Sequence, residues 1–369
     1  VSLTETRLYI LNTLSDIIIQ SKPLVDRDLL MEILQIVPKL WEISTNNPAE
    51  AILSNSLIRL LRHLVVSLGS QSYVTWSISI PVVAEACNPQ SIHYQLLNED
   101  GYELWSALLQ NFSSFESKFD PEFYRLLPFL EFGVESHTEI LPTLLEIVKS
   151  YSLILNTQDF FSCEVFAQVF SQISKYILKL RDDSFHLVLE IWEILILSNE
   201  SNYEELLLQK FHTSGVLRCL FDSVFRDESL SSYQCAQVLQ NVARIAYVNP
   251  QALMDALAVY HRSLPNALAN NSLPLAERTV VNQDTPYDEV INKLISIWIV
   301  CYKDIYDPKL KKAHILGLSS LLRTGLVSVL SEFPLIASMW IEILEEINES
   351  TNGDCEKYHL NDLATPQSI

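Results

Sequence analysis

Ile78-Ser79-Ile80-Pro81-Val82-Val83 sets a proline in the middle of an apolar helical pattern. The same arrangement stands at Ile36-Val37-Pro38-Lys39-Leu40 and at Leu126-Leu127-Pro128-Phe129-Leu130, so successive prolines are 43 and 47 residues apart. An interior proline removes one helical hydrogen bond and crowds the preceding turn, which bends the helix. A bend recurring every ~40 to 47 residues is the period of HEAT or armadillo helical pairs. The three prolines therefore predict the bent helix of a repeated two-helix unit.

Outward from these prolines the helical period continues. From Leu3 to Ile18, the residues Leu3, Arg7, Ile10, Leu11, Leu14 and Ile18 trace one face, with only Arg7 polar. Comparable stripes run over Leu29–Trp41, Ala51–Leu68, Leu96–Leu109, Phe123–Phe132, Ile140–Leu155, Phe160–Leu180, Phe185–Leu197, Leu206–Phe225, Tyr233–Tyr247, Val290–Tyr302, Leu310–Leu322 and Ile336–Ile347. The breaks at Asn46-Asn47-Pro48, Asn88-Pro89, Asp120-Pro121, Asn249-Pro250 and Asp307-Pro308 pair an Asx residue with a proline that needs no amide donor in a first helical turn. No hairpin signal and no period-two alternation interrupts them. The expected fold is all-α, an α-solenoid (superhelix) of HEAT-type helical-pair repeats, roughly seven or eight pairs at this period.

The expected organisation is a solenoid over residues 1–261, a polar loop or insertion over 262–289, continuing repeats over 290–350, and an acidic, poorly ordered tail over 351–369. The insertion is placed on Pro265, Asn270, Asn271, Pro274 and Pro286, which punctuate a segment without clean periodicity. A loop of that length is functional or mobile, and a mobile one is expected.

Composition narrows the function classes. Of 369 residues 49% are hydrophobic and only 7 are glycine, too apolar for disorder and too poor in glycine for a phosphate-cradling loop. The 45 acidic against 25 basic residues leave a formal charge of −20, a field that opposes nucleic acid and anionic lipid and favours basic protein segments. Six cysteines without a C-x-x-C pair fit buried, reduced thiols in the cytosol or nucleus. Purely apolar stretches such as Ile297–Cys301 fall far short of the ~20 residues that span a bilayer, and the start has no basic flank or cleavage site. Val1 opens inside a helical pattern, so a piece of a longer protein is expected.

Catalytic signatures do not occur. The glycines form no G-x-G-x-x-G, P-loop or G-x-S-x-G, and eight dispersed histidines include no H-E-x-x-H. No enzyme, cofactor or metal is expected. Carboxylates are densest at Glu342, Glu345, Glu346, Glu349, Asp354 and Glu356. Such a block is ordinarily a solvated helix face; its sharper reading is a landing surface for basic protein segments. Lys309-Lys311-Lys312 is read as a solvated repeat edge, and Trp41, Trp76, Trp105, Trp192, Trp298 and Trp340 as packing between repeats.

From Asn88-Pro89-Gln90-Ser91 through Tyr94-Gln95-Leu96-Leu97-Asn98-Glu99-Asp100-Gly101-Tyr102-Glu103-Leu104-Trp105, the order Leu-Leu, Glu-Asp-Gly, Glu-Leu-Trp resembles nuclear import receptors of the importin-eleven group, karyopherin-beta proteins. A second echo runs over Asp288–Leu322, through Asp307-Pro308-Lys309-Leu310-Lys311-Lys312-Ala313 and Leu318-Ser319-Ser320-Leu321-Leu322. The chain is similar to the carboxy-terminal part of such a receptor, in a fungal-type form. The 262–289 segment is longer than in the animal members, and the family's last helical segment is missing. The resemblance implies a receptor that shuttles between cytoplasm and nucleus, carries protein cargo, binds Phe-Gly nucleoporins and answers to Ran-GTP. In that family the main Ran-contacting segment is amino-terminal, so no Ran-contact residue is carried over. One or two of the tryptophans would line Phe-Gly grooves. The alternative is a HEAT scaffold subunit without a transport role.

Overall fold

Apolar stripes become helices because a helix satisfies its own backbone while presenting one side for burial. The computed structural model describes residues 3–21, 26–46, 52–113, 119–198, 204–226, 230–274 and 278–349. Among these residues there are nineteen α-helices, and the only β pairing is an isolated bridge between Arg226 and Thr279. The chain divides into two compact units at Leu155–Asn156.

The first unit holds α1 (Leu3–Gln20), α2 (Arg27–Asn46), α3 (Ile52–Leu68), α4 (Trp76–Ala86), α5 (Tyr94–Gln110), α6 (Leu127–Ser136) and α7 (Leu141–Ile154). Helices α1, α3, α5 and α7 pack one on the next in a row, while α2, α4 and α6 each lie against α3, α5 and α7 respectively. The core fills the space between these two rows. Leu57, Leu61 and Leu64 of α3 and Leu97, Leu104 and Leu108 of α5 are fully buried there, at the i, i+4, i+7 spacing or close to it. Trp105 of α5 is 0% exposed, and burying an aromatic side chain of that size contributes roughly 5 kcal/mol before conformational entropy is counted.

Local details depart from the sequence reading in four places. Pro38 and Pro81 are interior to α2 and α4 as expected, but Pro128 sits in the first turn of α6, following a 3-10 segment over Pro121–Leu126. A proline there costs nothing, since a first-turn amide has no intrahelical acceptor. Asn88 begins no helix: its Oδ1 accepts from the Gln90 amide in a turn, and α5 starts six residues later. On α1 the buried positions are Leu11, Ser15 and Ile18, whereas Ile10 is 57% exposed. The stripe is rotated because Ser15, apolar in no scale, is held inside by the ring of His63 on α3, with Oγ to Nδ1 at 2.7 Å. Finally, the helical run Ile52–Ala86 is by length and composition capable of crossing a membrane, although half of its most apolar window is buried in this unit. A core helix meets the same criterion, and a 3-10 stretch over Gly69–Thr75 interrupts the run.

The second unit holds α8 (Thr157–Ser162), α9 (Glu164–Tyr176), α10 (Asp182–Leu197), α11 (Glu204–Thr213), α12 (Val216–Phe225), α13 (Ser232–Val248), α14 (Pro250–Ser263), α15 (Ala267–Ser272), α16 (Tyr287–Tyr302), α17 (Pro308–Leu321), α18 (Val327–Ser331) and α19 (Phe333–Glu349). Its row is α10, α13, α17, α19, each against the next, with α12, α14 and α16 packed behind α13. The stripes Phe160–Leu180 and Leu206–Phe225, expected as single helices, are each two. The first breaks at Cys163, whose extended backbone separates α8 from α9, and the second at Gly215, whose φ of 81° lies in the left-handed region that glycine adopts without strain.

Residues 262–289 are tied to their surroundings where they are described. The Val280 amide donates to the Phe225 carbonyl at 2.7 Å, the Ala267 amide to Asp284 Oδ2 at 2.7 Å, and Asn270 Nδ2 to the Thr279 carbonyl at 3.1 Å. Val281 is fully buried. Polar residues here satisfy backbone groups that helix would otherwise satisfy, so a segment without periodicity is anchored by hydrogen bonds instead. Asn47 and Pro48, and the tail 351–369, lie outside the described residues.

Helix α13 starts with a capping box: Ser231 Oγ accepts from the Gln234 amide, and Gln234 Oε1 accepts from the Ser231 amide. Ser231→Ala removes one half of it and is expected to cost about 1 kcal/mol. Urea denaturation checks this, and an unchanged midpoint would show the cap to be idle.

Candidate functional site

The acidic residues singled out in the sequence fall on or beyond α19. Glu342 pairs with Lys311 Nζ of α17 at 2.8 Å and stays half exposed, and Glu345 is exposed. Glu346 and Glu349 lie on the same helix, their side chains outside the described set, as are Asp354 and Glu356 altogether. Beside the described carboxylates stand Ile341, 57% exposed, and Leu344, 52% exposed. The described part of α19 thus exposes carboxylates interleaved with aliphatic side chains. The Lys309-Lys311-Lys312 run is not one patch, because Lys311 is buried against Glu342.

The helix rows carry a second feature that local sequence does not reveal. In the first unit Asp16 of α1 pairs with Arg59 of α3 at 2.8 Å, Arg62 of α3 pairs with Glu103 of α5, and Asn55 Nδ2 donates to Asp100 Oδ2 at 2.8 Å. In the second, Glu193 of α10 receives Gln240 Nε2 at 2.7 Å and Arg244 Nε at 2.7 Å from α13, with Arg244 only 8% exposed. Each bond joins a helix to the next in its row. Exposed members are worth under ~1 kcal/mol each, but the Arg244–Glu193 pair holds α13 to α10 more firmly, since Arg244 without Glu193 would be an uncompensated buried charge. A search for opposite charges 41 to 51 residues apart would find the three ion pairs but not the amide–carboxylate bonds.

No group of three or more metal-ligating side chains occurs among the described residues. His314 is fully buried: its Nδ1 accepts from Trp298 Nε1 at 2.8 Å, which leaves Nε2–H to donate to the Ala236 carbonyl at 2.9 Å. Burial pulls its pKa down to about 3, so the ring is neutral. Burial pushes the Cys87 thiol well up and that of Cys219 to about 12, away from thiolate reactivity. Trp105, Trp192 and Trp298 are wholly buried and Trp76 nearly so, while Trp340 donates its Nε1 to Ser319 Oγ.

The Leu-Leu…Glu-Asp-Gly…Glu-Leu-Trp stretch is α5, and its residues are fitted to both neighbouring rows. Leu97, Leu104 and Trp105 are buried, Asp100 and Glu103 hold α3, and Gly101 allows α4 to approach, since a Cβ there would stand 2.7 Å from Ala86 Cβ. A motif spent on packing marks shared architecture. Residues 55–368 match the family described as "Importin-11-like, TPR repeats". The chain belongs to the importin-11-like family. Over all 369 residues it is 67% identical to "Importin beta-like protein KAP120" of Saccharomyces cerevisiae, of which it covers 36%. It is 24% identical over 331 residues to "Importin beta-like protein kap113" of Schizosaccharomyces pombe, covering 89% of this chain and 30% of that one. Among solved structures, Lph2 of S. cerevisiae, titled "a novel bidirectional nuclear transport receptor", superposes with a TM-score of 0.93 at 67% identity, covering 100% of this chain and 37% of that one. The chain thus spans about a third of the length of these importin-11-like relatives. The fold is an all-α helical-repeat solenoid. Although the family name carries TPR, a unit of ~34 residues, the bonds from α1 to α3, α3 to α5 and α10 to α13 span from 41 residues, Asn55 to Leu96, to 52, Asn241 to Leu189, nearer HEAT length, whereas α13 to α17 spans 78 and α17 to α19 spans 31.

Proposed function

We propose that the protein to which this chain belongs carries protein cargo through the nuclear pore under Ran-GTP control, moving between cytoplasm and nucleus, with no catalytic step. The observation that supports this most is the 67% identity, sustained over every residue of the chain, to an importin beta-like protein. Within each unit the helix row contributes an adaptable surface, since packing is chiefly between neighbouring helices and small changes at many interfaces add up. Glu342, Glu345, Glu346, Glu349, Asp354 and Glu356 serve as contacts for basic segments of cargo, and Phe-Gly nucleoporins are the partners that permit passage. Ran-GTP acts mainly through parts of the protein other than this chain. The overall charge of −20 disfavours nucleic acid and membrane surfaces.

The test is displacement. Cargo captured on the immobilised full-length receptor is expected to elute on addition of Ran loaded with GTP and to stay with Ran-GDP. Glu342→Gln with Glu345→Gln should weaken capture of basic cargo. A stable stoichiometric partner indifferent to Ran would instead identify a scaffold subunit.

A further inference from the structure

Between α9, α11 and α12 lies a cavity of about 370 Å³ whose lining inverts the charge of the rest of the chain. Lys175 and Lys179 enter from α9 and the turn after it, and Arg218 and Arg226 from α12 and its end, against one lining carboxylate, Asp222. The whole chain has 25 basic to 45 acidic residues. Asp222 is already engaged, accepting from Tyr260 Oη at 2.9 Å and pairing with Arg218 Nε at 3.5 Å. The cavity is therefore net cationic.

Two lining side chains hold buried polar atoms with no hydrogen-bond partner, Arg226 Nε and Ser174 Oγ. Both atoms are closed to solvent, so an acceptor in the cavity meets them once the Arg226 and Ser174 side chains turn toward it, and that turn would satisfy both. A third contribution comes from backbone. Gly215 starts the ten-residue helix α12 without a side-chain cap, so the positive end of that helix dipole lies at the lining.

We infer that this cavity binds a phosphoryl group carried on a protein segment. A phosphoryl dianion presents three acceptor oxygens and about two charges, matching two arginines, two lysines and the positive end of a helix dipole better than a single carboxylate does. A long polyanion fits poorly, because beyond the Debye length of about 8 Å at physiological salt it meets an acidic protein, whereas a compact dianion feels chiefly the local cations. The inference stands independently of the transport reading.

Fluorescence anisotropy tests it on the full chain at constant ionic strength, using a labelled phosphoserine peptide, the same peptide with serine, and inorganic phosphate as competitor. The phosphopeptide is expected to bind about tenfold or more tightly than the serine form. Arg218→Gln with Arg226→Gln should abolish the difference, and Lys179→Gln, at an exposed position where folding is not at risk, should reduce it. Competition by inorganic phosphate supports the shared phosphoryl chemistry. If phosphate protects the chain from thermal unfolding while the phosphopeptide binds no better than the serine peptide, the source is a free small anion and the protein-segment assignment falls. Equal binding of both peptides with no effect of phosphate, or a phosphopeptide preference that survives the double arginine variant, overturns the site itself.

Discussion

Gly317→Ala is expected to destabilise the second unit by about 3 kcal/mol, read as a lower denaturation midpoint with unchanged slope. A Cβ at this position of α17 would stand 2.6 Å from Ala243 Cα, 2.7 Å from its Cβ and 2.8 Å from its carbonyl oxygen on α13. Those are mainly backbone atoms, so no side-chain rotation relieves the overlap and the two helices must move apart. Separation opens gaps along the most extensive helix contact of the unit, where Ala243, Ile315, Leu318 and Leu321 are all within 2% of full burial. Gly325→Ala supplies the contrast: its φ is +70° and nothing lies within 4 Å of a built Cβ, so only backbone strain of about 1 kcal/mol applies. If the two variants lost equal stability, close packing of α13 on α17 would not be what Gly317 provides.

Stability should also fall on mild acidification, by about 2 kcal/mol between pH 7 and pH 5 from His314 alone. Its folded pKa is about 3, against about 6.5 for a histidine in the unfolded chain. Between those values the unfolded chain binds the extra proton, so the stability present above pH 6.5 is lost progressively as pH falls toward 3. His63 acts in the same direction, its pKa lowered chiefly by burial. Protonating His314 would also force its Nδ1, the acceptor for Trp298 Nε1, to become a donor facing a donor. His314→Gln retains one acceptor and one donor, so it should flatten the pH profile of urea stability while costing some stability at neutral pH. A pH slope identical to that of the unaltered chain would mean that His314 takes up no proton on unfolding.

Much of the helical content was legible because burial demands periodicity within one helix, as in Leu57, Leu61 and Leu64 of α3. Breaks were less so. Gly215 was visible as a glycine, but its left-handed turn is distinguished from a helical glycine, such as Gly317, only by the fold. The short helices α15 and α18 have five or six residues, too few to show a period. Pro128 kept the repeat spacing of Pro38 and Pro81 yet starts a helix, since spacing says where a proline recurs and nothing of the turn before it.

Of the proposed partner surface, the sequence supplied the carboxylates of α19 but could not show that Glu342 is held by Lys311. The cationic cavity was invisible for the same reason. Its four basic residues are spread from Lys175 to Arg226, and no stretch of the chain reads as basic there. The sequence by itself determined that the chain is helical, where most apolar stripes lie and the repeat length of the first unit, all of which follow from bonding and burial within a few turns. Only the tertiary structure decided which helix lies on which, as when His314 of α17 reaches the Ala236 carbonyl 78 residues away on α13, across the intervening helices. Local periodicity states that a face must be covered, and the choice of cover depends on the simultaneous fit of every neighbouring helix.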